Sequence, residues 1–384
     1  MSSQPLVVRE VETPAELTEF IRFPWKVYEN DPNWVPFLYF ERKEFFDRDK
    51  HPFFQTADVA FFVAWRGGRP VGTIAAMVNH RHNEFQGEQA AHFGIFEVLR
   101  DDEAAEALLE TASEWGRQRG MTKILGPANY SSNYEYGLLV DGFDSPPVIM
   151  MTYNPPYYVD FVEGAGFTPA MDLWAWHSTL DVYGRDAENL PPKLVRVVGK
   201  IKKRHNITIR NLNMRDWDNE VERFKVIYNS AWSKNWGFVP LTDEEMTHLA
   251  NGLKLIVDPR VSFFAEVDGK PIAGAVPLPN VNEIVLKARP GPSTAGSYLA
   301  AARVFLGRRR TNLLRGFAMG VIEEYRVRGV DALFYYELIS RAIACGYTEM
   351  EASWVLATND MMNRAIEMMG AKVYKTYRIY EKAL

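Results

Sequence analysis

The sequence predicts an α/β protein built from two tandem copies of one domain. Three internal matches in the same order predict it. Val59-Ala-Phe-Phe-Val-Ala-Trp-Arg-Gly-Gly-Arg-Pro-Val-Gly is echoed by Val261-Ser-Phe-Phe-Ala-Glu-Val-Asp-Gly-Lys-Pro-Ile-Ala-Gly, at an offset of 202. Each reads as a strand, a glycine turn with a basic residue and proline, and a second strand, which is a β-hairpin. Gly120-Met-Thr-Lys-Ile is echoed by Gly346-Tyr-Thr-Glu-Met at an offset of 226. Asn154 opens a helix-like segment ending at Gly164-Ala-Gly, and Asn359 opens one ending at Gly370-Ala, at an offset of 205. The changing offsets place 24 extra residues after the hairpin of the second half and 21 before Asn154 in the first. Such insertions belong in surface loops, where function often resides.

The elements follow in order. Residues 1–181 form the first domain, 182–205 a linker helix and 206–384 the second domain. Each half reads as strand, one or two helices, hairpin, strand, long helix, strand, helix and final strands. In the first half Ala105, Leu108, Leu109, Ala112 and Trp115 give the long helix one apolar stripe. Asn189-Leu-Pro-Pro opens the linker helix, because proline suits a first turn. Leu194, Val197, Val198 and Ile201 form its packing face. Lys193, Arg196, Lys200, Lys202, Lys203 and Arg204 form the other, a solvated face or one turned to phosphate or membrane. Ile207-Thr-Ile-Arg alternates as the first strand of the second half. The segment from Ala332 is apolar nearly all round, so this helix is expected to lie deeper than its counterpart.

Composition limits the function. Of 384 residues, 44 are Lys or Arg and 49 Asp or Glu, a net charge of −5, so nucleic acid is not the expected main partner. The single cysteine, Cys345, excludes an internal disulfide and a multi-cysteine metal site. His80-x-His82 has no obvious third ligand and reads as a polar turn; no metal is expected. No stretch reaches the roughly 18 apolar residues of a membrane span, and no signal peptide is evident. A soluble, cytoplasmic protein is the expectation. Aromatic residues make up 13% of the chain; packing alone could use them, or they could line a binding cleft.

The sharpest local signal joins a strand to the long helix of the second half: Val321-Ile-Glu-Glu-Tyr-Arg-Val-Arg-Gly-Val-Asp-Ala. Unpaired amides at a helix N-terminus favour an anion, Arg326 and Arg328 add charge, and Gly329 lets a phosphate approach the backbone. Val321-x-x-x-Tyr325-Arg326-x-Arg328-Gly329-Val330 resembles the acyl-CoA signature of the GNAT acyltransferases. The spacing from Asn359 to Gly370, at the end of the next strand and its helix, resembles the same family. The resemblance covers residues 207–384 well and, through the repeat, 6–181 more weakly. It implies in each half a mixed, mostly antiparallel central sheet flanked by helices.

The resemblance also implies roles. The backbone of Val327, Arg328, Gly329, Val330, Asp331 and Ala332 would bind the CoA pyrophosphate, flanked by Arg326 and Arg328. Val321 and Ile322 would pair with the pantetheine arm, and Asn359 would bind the arm too. Acetyl-CoA or another acyl-CoA would be the co-substrate. Two positions depart from the pattern: Asp331 ends the loop with a carboxylate, and Ile366 stands where the family has its general-acid tyrosine. Tyr374 and Tyr377 are the candidates to replace that acid, with packing as the competing reading. Glu323 and Glu324 are the candidate bases, of which only one can face the cleft if both lie on a strand.

In the first half the corresponding loop, Phe96-Glu-Val-Leu-Arg-Asp-Asp-Glu-Ala, has no glycine and three acidic residues, Asp101, Asp102 and Glu103. It is expected to have lost CoA. Its insertion, 128–153, is rich in Tyr, Asn, Ser and Pro. Asn129, Tyr130, Asn133, Tyr134, Tyr153 and Asn154 are the candidate acceptor-binding residues. The leading expectation is direct acyl transfer from acyl-CoA to the amine of a small-molecule or lipid-like acceptor. The rivals are an aminoacyl- or fatty-acyl-transferase working at tRNA or a membrane surface, and a non-catalytic acyl-CoA-binding scaffold.

Overall fold

The computed structural model describes residues 4–204, 207–326 and 329–384, and the side chains of Lys202, Lys203 and Arg204 lie outside the described set. The first half contains β1 (Leu6–Glu10), β2 (Ala57–Arg66), β3 (Arg69–Asn79), β4 (Ala90–Val98), β5 (Lys123–Gly126), β6 (Leu138–Asp141) and β7 (Thr168–Thr179). The second contains β8 (Ile207–Asn211), β9 (Phe263–Val267), β10 (Lys270–Pro279), β11 (Leu313–Val321), β12 (Glu349–Leu356) and β13 (Lys372–Ala383). All thirteen join one sheet in the order β1-β2-β3-β4-β5-β13-β7-β12-β11-β10-β9-β8, with β6 paired to β13. Only β4 with β5 and β11 with β12 pair in parallel among these strands; the other pairings are antiparallel.

The repeated hairpins close on two-residue turns, Gly67-Gly68 between β2 and β3 and Asp268-Gly269 between β9 and β10. All four turn residues have positive φ, from +50° to +75°, the geometry that matches the right-handed twist of paired strands. Phe61 and Phe62 go to cores on opposite faces of the sheet, as do Phe263 and Phe264.

The two halves exchange their last strands. β13 pairs with β5 from Tyr380↔Gly126 to Ala383↔Lys123, and β7 pairs with β12 from Leu356↔Leu173 to Glu349↔Thr179. β7 and β13 also pair with each other along most of their length. Leu173, Ala175, Tyr377 and Ile379 bury the seam, and each large apolar side chain there contributes about 1.5–3 kcal/mol. A cut between residues 181 and 206 therefore divides the chain but not the sheet.

Helix Asp102–Arg117 buries Ala105, Leu108, Leu109, Ala112 and Trp115 on the first half, matching its sequence stripe. Helix Val330–Ala344 buries Val330, Leu333, Phe334, Leu338, Ile339 and Ala342. Its wider apolar surface has a second partner, the linker helix Pro192–Arg204, which packs over it through Val197, Val198 and Ile201. Lys193, Arg196 and Lys200 on the far side are exposed. Among the described residues no helix is long and apolar enough to cross a membrane.

Candidate active site

In the first half β4 and β5 run together only from Ala90↔Lys123 to His92↔Leu125. Gly94 then lets the Ala128 carbonyl lie against β4, where a Cβ would overlap it. Ile95 has φ +48°, a conformation a β-branched residue adopts only under constraint. Its amide donates to Asn129 Oδ1 at 2.8 Å, and the β3–β4 register slips at this point. Beyond the slip, Phe96 and Glu97 line a cavity of about 720 Å³, within the roughly 300–1,000 Å³ usual for ligand sites.

Both halves wall this cavity. Trp34, Phe37, Phe45 and Phe46 come from the segment between β1 and β2, and Ile149 and Tyr153 from the insertion. The second half supplies Leu249, Leu255, Ile256, Val281, Val285 and Val304. Most of the wall is therefore apolar or aromatic.

Several of its polar groups are connected. Glu97 Oε2 accepts hydrogen bonds from Tyr28 Oη at 2.8 Å and Tyr158 Oη at 2.9 Å. Glu97 is only partly accessible and lines the cavity, and its carboxyl is desolvated. That desolvation pushes its carboxyl up to about 8, against the pull of the two hydroxyls and Arg42. Burial also holds both tyrosines well above their ordinary value, so they remain neutral donors. Nearby, Asn129 Nδ2 donates to Glu135 Oε2 at 2.8 Å, and Arg42 pairs with the same oxygen at 3.1 Å. The Arg42 guanidinium lies 3.8 Å over the Phe37 ring. His51 and His248 meet at the wall with ring centroids 4.8 Å apart. Burial and its neighbour push His51 down to about 3, so it stays uncharged near neutral pH.

Four of the six sequence-predicted acceptor residues line this cavity: Asn129, Tyr134, Tyr153 and Asn154. Tyr153 donates to the Asp31 carboxylate at 2.9 Å, and Asn154 clamps the Leu139 backbone through both its amide groups. Tyr130 and Asn133 instead hold the loop together. Tyr130 is buried between Phe45 and Phe53 and donates to the Phe45 carbonyl at 2.6 Å. Asn133 donates to the Val239 carbonyl and accepts from Tyr228.

The residues assigned to CoA in the second half fall elsewhere. None of Val321, Ile322, Arg326, Gly329, Val330, Asp331, Ala332 or Asn359 lines the large cavity, and Val327 and Arg328 lie outside the described residues. Arg326, half-buried, donates to the carbonyls of Val321, Ser230 and Ala231, closing the end of helix Trp217–Trp232. Gly329 has φ +78° and starts the long helix beneath Ile201 of the linker. Val330 is fully buried, Asp331 is an exposed carboxylate in the first turn, and the Ala332 amide bonds the Gly329 carbonyl. Val321 and Ile322 bond β10 through Ala273 and Ile272. Asn359 caps its own helix by accepting from the Met362 amide. The described side chains of this segment are thus engaged within the chain, while Val327 and Arg328, at the centre of the expected loop, lie outside the described residues. In the first half Asp101 fills the same helix end, accepting from Ala104 and pairing with Arg66 at 2.9 Å.

Glu323 and Glu324 correct the strand expectation. β11 ends at Val321, and both glutamates lie in a helical turn, Glu323–Arg326, exposed to solvent. Glu323 pairs with Lys234 at 2.5 Å, which lowers its carboxyl pKa. Tyr377 is buried in the seam between the halves, where desolvation raises it far above a working acid. Tyr374 lies on a smaller pocket of about 460 Å³, 3.4 Å from the buried carboxylate of Glu351, and is raised by burial too.

The gap between β11 and β12 is occupied by protein. The strands part after Arg315↔Glu351, and buried Arg315 donates there to the Ile149 carbonyl, Met151 Sδ and the Ser353 carbonyl. Ile149 and Met151 belong to the first-half insertion.

Sequence reasoning missed Glu97. The one available signal was the repeat: it stands near the end of β4, as the candidate bases Glu323 and Glu324 stand just past the end of β11.

A duplicated domain whose parallel strand pair parts around a ligand-sized cavity defines a class. The chain has the tandem form of the GNAT acyltransferase fold and belongs to the same family as two curated relatives. Among solved structures it resembles a tandem GNAT protein from the clavulanic acid biosynthesis pathway, with a TM-score of 0.58 and 13% identity over 99% of this chain and 98% of that one. It is 38% identical to the bacterial ceramide synthase of Caulobacter vibrioides over 99% of this chain and 98% of that protein. It is 34% identical to protein YghO of Escherichia coli K12, over 100% of this chain and 97% of that protein. No protein-family model matches the chain.

Proposed function

We propose that this acyltransferase joins an acyl group from acyl-CoA to a primary amine carried on a long apolar chain, in the first-half cavity, with Glu97 as base. The observation that carries the reading is an aromatic and aliphatic cavity with a carboxylate of raised pKa on its wall. A base poised near working pH takes a proton from an ammonium without being too weak to do so. The name of the Caulobacter relative, a ceramide synthase, supports a long-chain amine as acceptor.

Glu97 removes the proton from the ammonium, directly or through one water. The freed amine attacks the thioester carbonyl, the new C–N bond forms and the C–S bond breaks. The proton held on Glu97 goes to the departing thiolate, and the nitrogen gives its second proton to the freed carboxylate or to solvent. Tyr28 and Tyr158 hold the carboxylate in one orientation, and Asn129 fixes the β4 bulge beside it. Tyr134, Tyr153 and Asn154 shape the acceptor side. The second-half loop takes no part in the proposed site.

The test is acyl transfer from long-chain acyl-CoA to a panel of amines. Long-chain amines should exceed short polar ones in kcat/KM by about tenfold or more. Indifference to chain length would remove the acceptor class, and a fully active Glu97→Gln enzyme would remove the site.

A further inference from the structure

We infer that helix Thr294–Gly307, with the arginines that follow it, docks the protein on an anionic lipid bilayer beside the cavity mouth. The inner face of this helix packs through Ser297, Ala300 and Val304. Its outer face is also apolar, at helical spacing: Tyr298, Leu299, Ala302, Phe305 and Leu306. Tyr298 is 61% exposed, Leu299 58%, Phe305 51% and Leu306 78%. Apart from the Tyr298 ring on Phe40 and Arg308 over Phe305, packing within the chain leaves these side chains exposed, and an apolar patch of this kind marks an interaction surface.

Charge selects the partner. Between Glu283 and Arg315 the chain has Lys287, Arg289, Arg303, Arg308, Arg309 and Arg310 and no carboxylate, within a protein of net charge −5. Arg303, Arg309 and Arg310 are exposed beside the apolar stripe. An apolar face flanked by cations fits the interface of an anionic membrane. The adjoining helix Tyr39–Phe45 is balanced, with Glu41 and Glu44 against Arg42 and Lys43, so the arginines decide the sign.

Position ties the surface to the cavity. Val304 lines the cavity from the same helix. Phe40, another lining residue, stacks on Tyr298 at 4.8 Å, and the Tyr39 amide donates to Ser297 Oγ at 2.7 Å. Leu255, 63% exposed, lines the same cavity. A lipid amine could pass from bilayer to cavity along this face. That delivery role rests on the proposed acyl transfer; docking itself does not.

The experiment is co-sedimentation of the full chain with phosphatidylcholine vesicles, with and without phosphatidylglycerol. Binding should require phosphatidylglycerol and weaken as salt rises. The Leu299→Glu, Leu306→Glu double variant should bind these vesicles about tenfold less or weaker, and Arg309→Gln, Arg310→Gln should lose most of the salt dependence. Equal binding by wild type and variants, or no binding by wild type, would overturn the assignment. So would a wild-type dimer in solution that the Leu306→Glu change splits, since the face would then belong to a second copy. Transfer to a soluble short-chain amine, measured in parallel, should be unchanged in these variants. Its absence in every protein would count against the acyl-transfer reading and leave the vesicle result standing.

Discussion

The two halves share a plan and part ways at the same point, the end of the fourth strand of each copy. In the first half β4 bulges at Ile95, parts from β5 and presents Glu97 to a cavity. In the second, β11 parts from β12 after Arg315, and that arginine and the first half's own insertion fill the gap. Glu323, just past the end of β11, pairs with Lys234 in solvent and behaves as an ordinary surface acid. The comparison teaches that burial separates the two copies more sharply than loop composition does. Two carboxylates near the ends of corresponding strands differ because tyrosines and apolar walls desolvate one and water reaches the other.

The largest effect should come from exchanging the charge at these two positions. Glu97→Gln should lower kcat by about 10²–10⁴-fold, while Glu323→Gln and Glu324→Gln leave it within about threefold in steady-state assays. The reverse pattern would move the chemistry to the second half.

The pH profile sharpens the same contrast. Below about 8, kcat should climb by about tenfold per pH unit as Glu97 loses its proton, then level. The Tyr28 hydroxyl stabilises the charged carboxylate, so Tyr28→Phe should move the plateau to higher pH. Stability should run the other way. The folded state holds the Glu97 proton more tightly than the unfolded chain between the ordinary 4.5 and about 8, so that state loses stability as pH rises through this window. Glu97→Gln should therefore gain in Tm over wild type, by a margin that widens from pH 4.5 to 8.

Smaller effects test the supports. Asn129→Ala leaves the Ile95 amide without its partner and should cost about 1–3 kcal/mol in denaturant unfolding, with a loss of kcat. Gly329→Ala puts a Cβ at positive φ 3.0 Å from Ile201 and should cost about 1–2 kcal/mol. It should leave acyl-CoA affinity unchanged; a weakened affinity would restore the second-half loop as a phosphate site.

Much of this fold could be read from residues alone. The glycine turns, Phe61-Phe62 and Phe263-Phe264 marked the two hairpins, and the stripe from Leu194 to Ile201 marked the packed face of the linker helix. The strand exchange could not be read. Alternation in β13 says that it is a strand, yet not that its neighbour is β5, some 250 residues earlier. Of the candidate acceptor residues, Asn129, Tyr134, Tyr153 and Asn154 line the cavity. Glu97 was illegible because its raised pKa comes from burial by apolar walls that both halves supply, and the Tyr28 and Tyr158 hydroxyls that temper it are distant in sequence. Arg326 shows a related ambiguity: an arginine near a glycine turn suits phosphate as well as the carbonyls ending a neighbouring helix, and here it bonds the latter.

The central claim is that the first half holds the reacting groups. A crystal structure with a non-hydrolysable long-chain acyl-CoA tests it most directly. The account expects the acyl chain in the cavity between Trp34, Phe45 and Ile149, with its reacting carbonyl within reach of Glu97. An acyl chain seated between β11 and β12, with Arg315 and Met151 displaced, would contradict it.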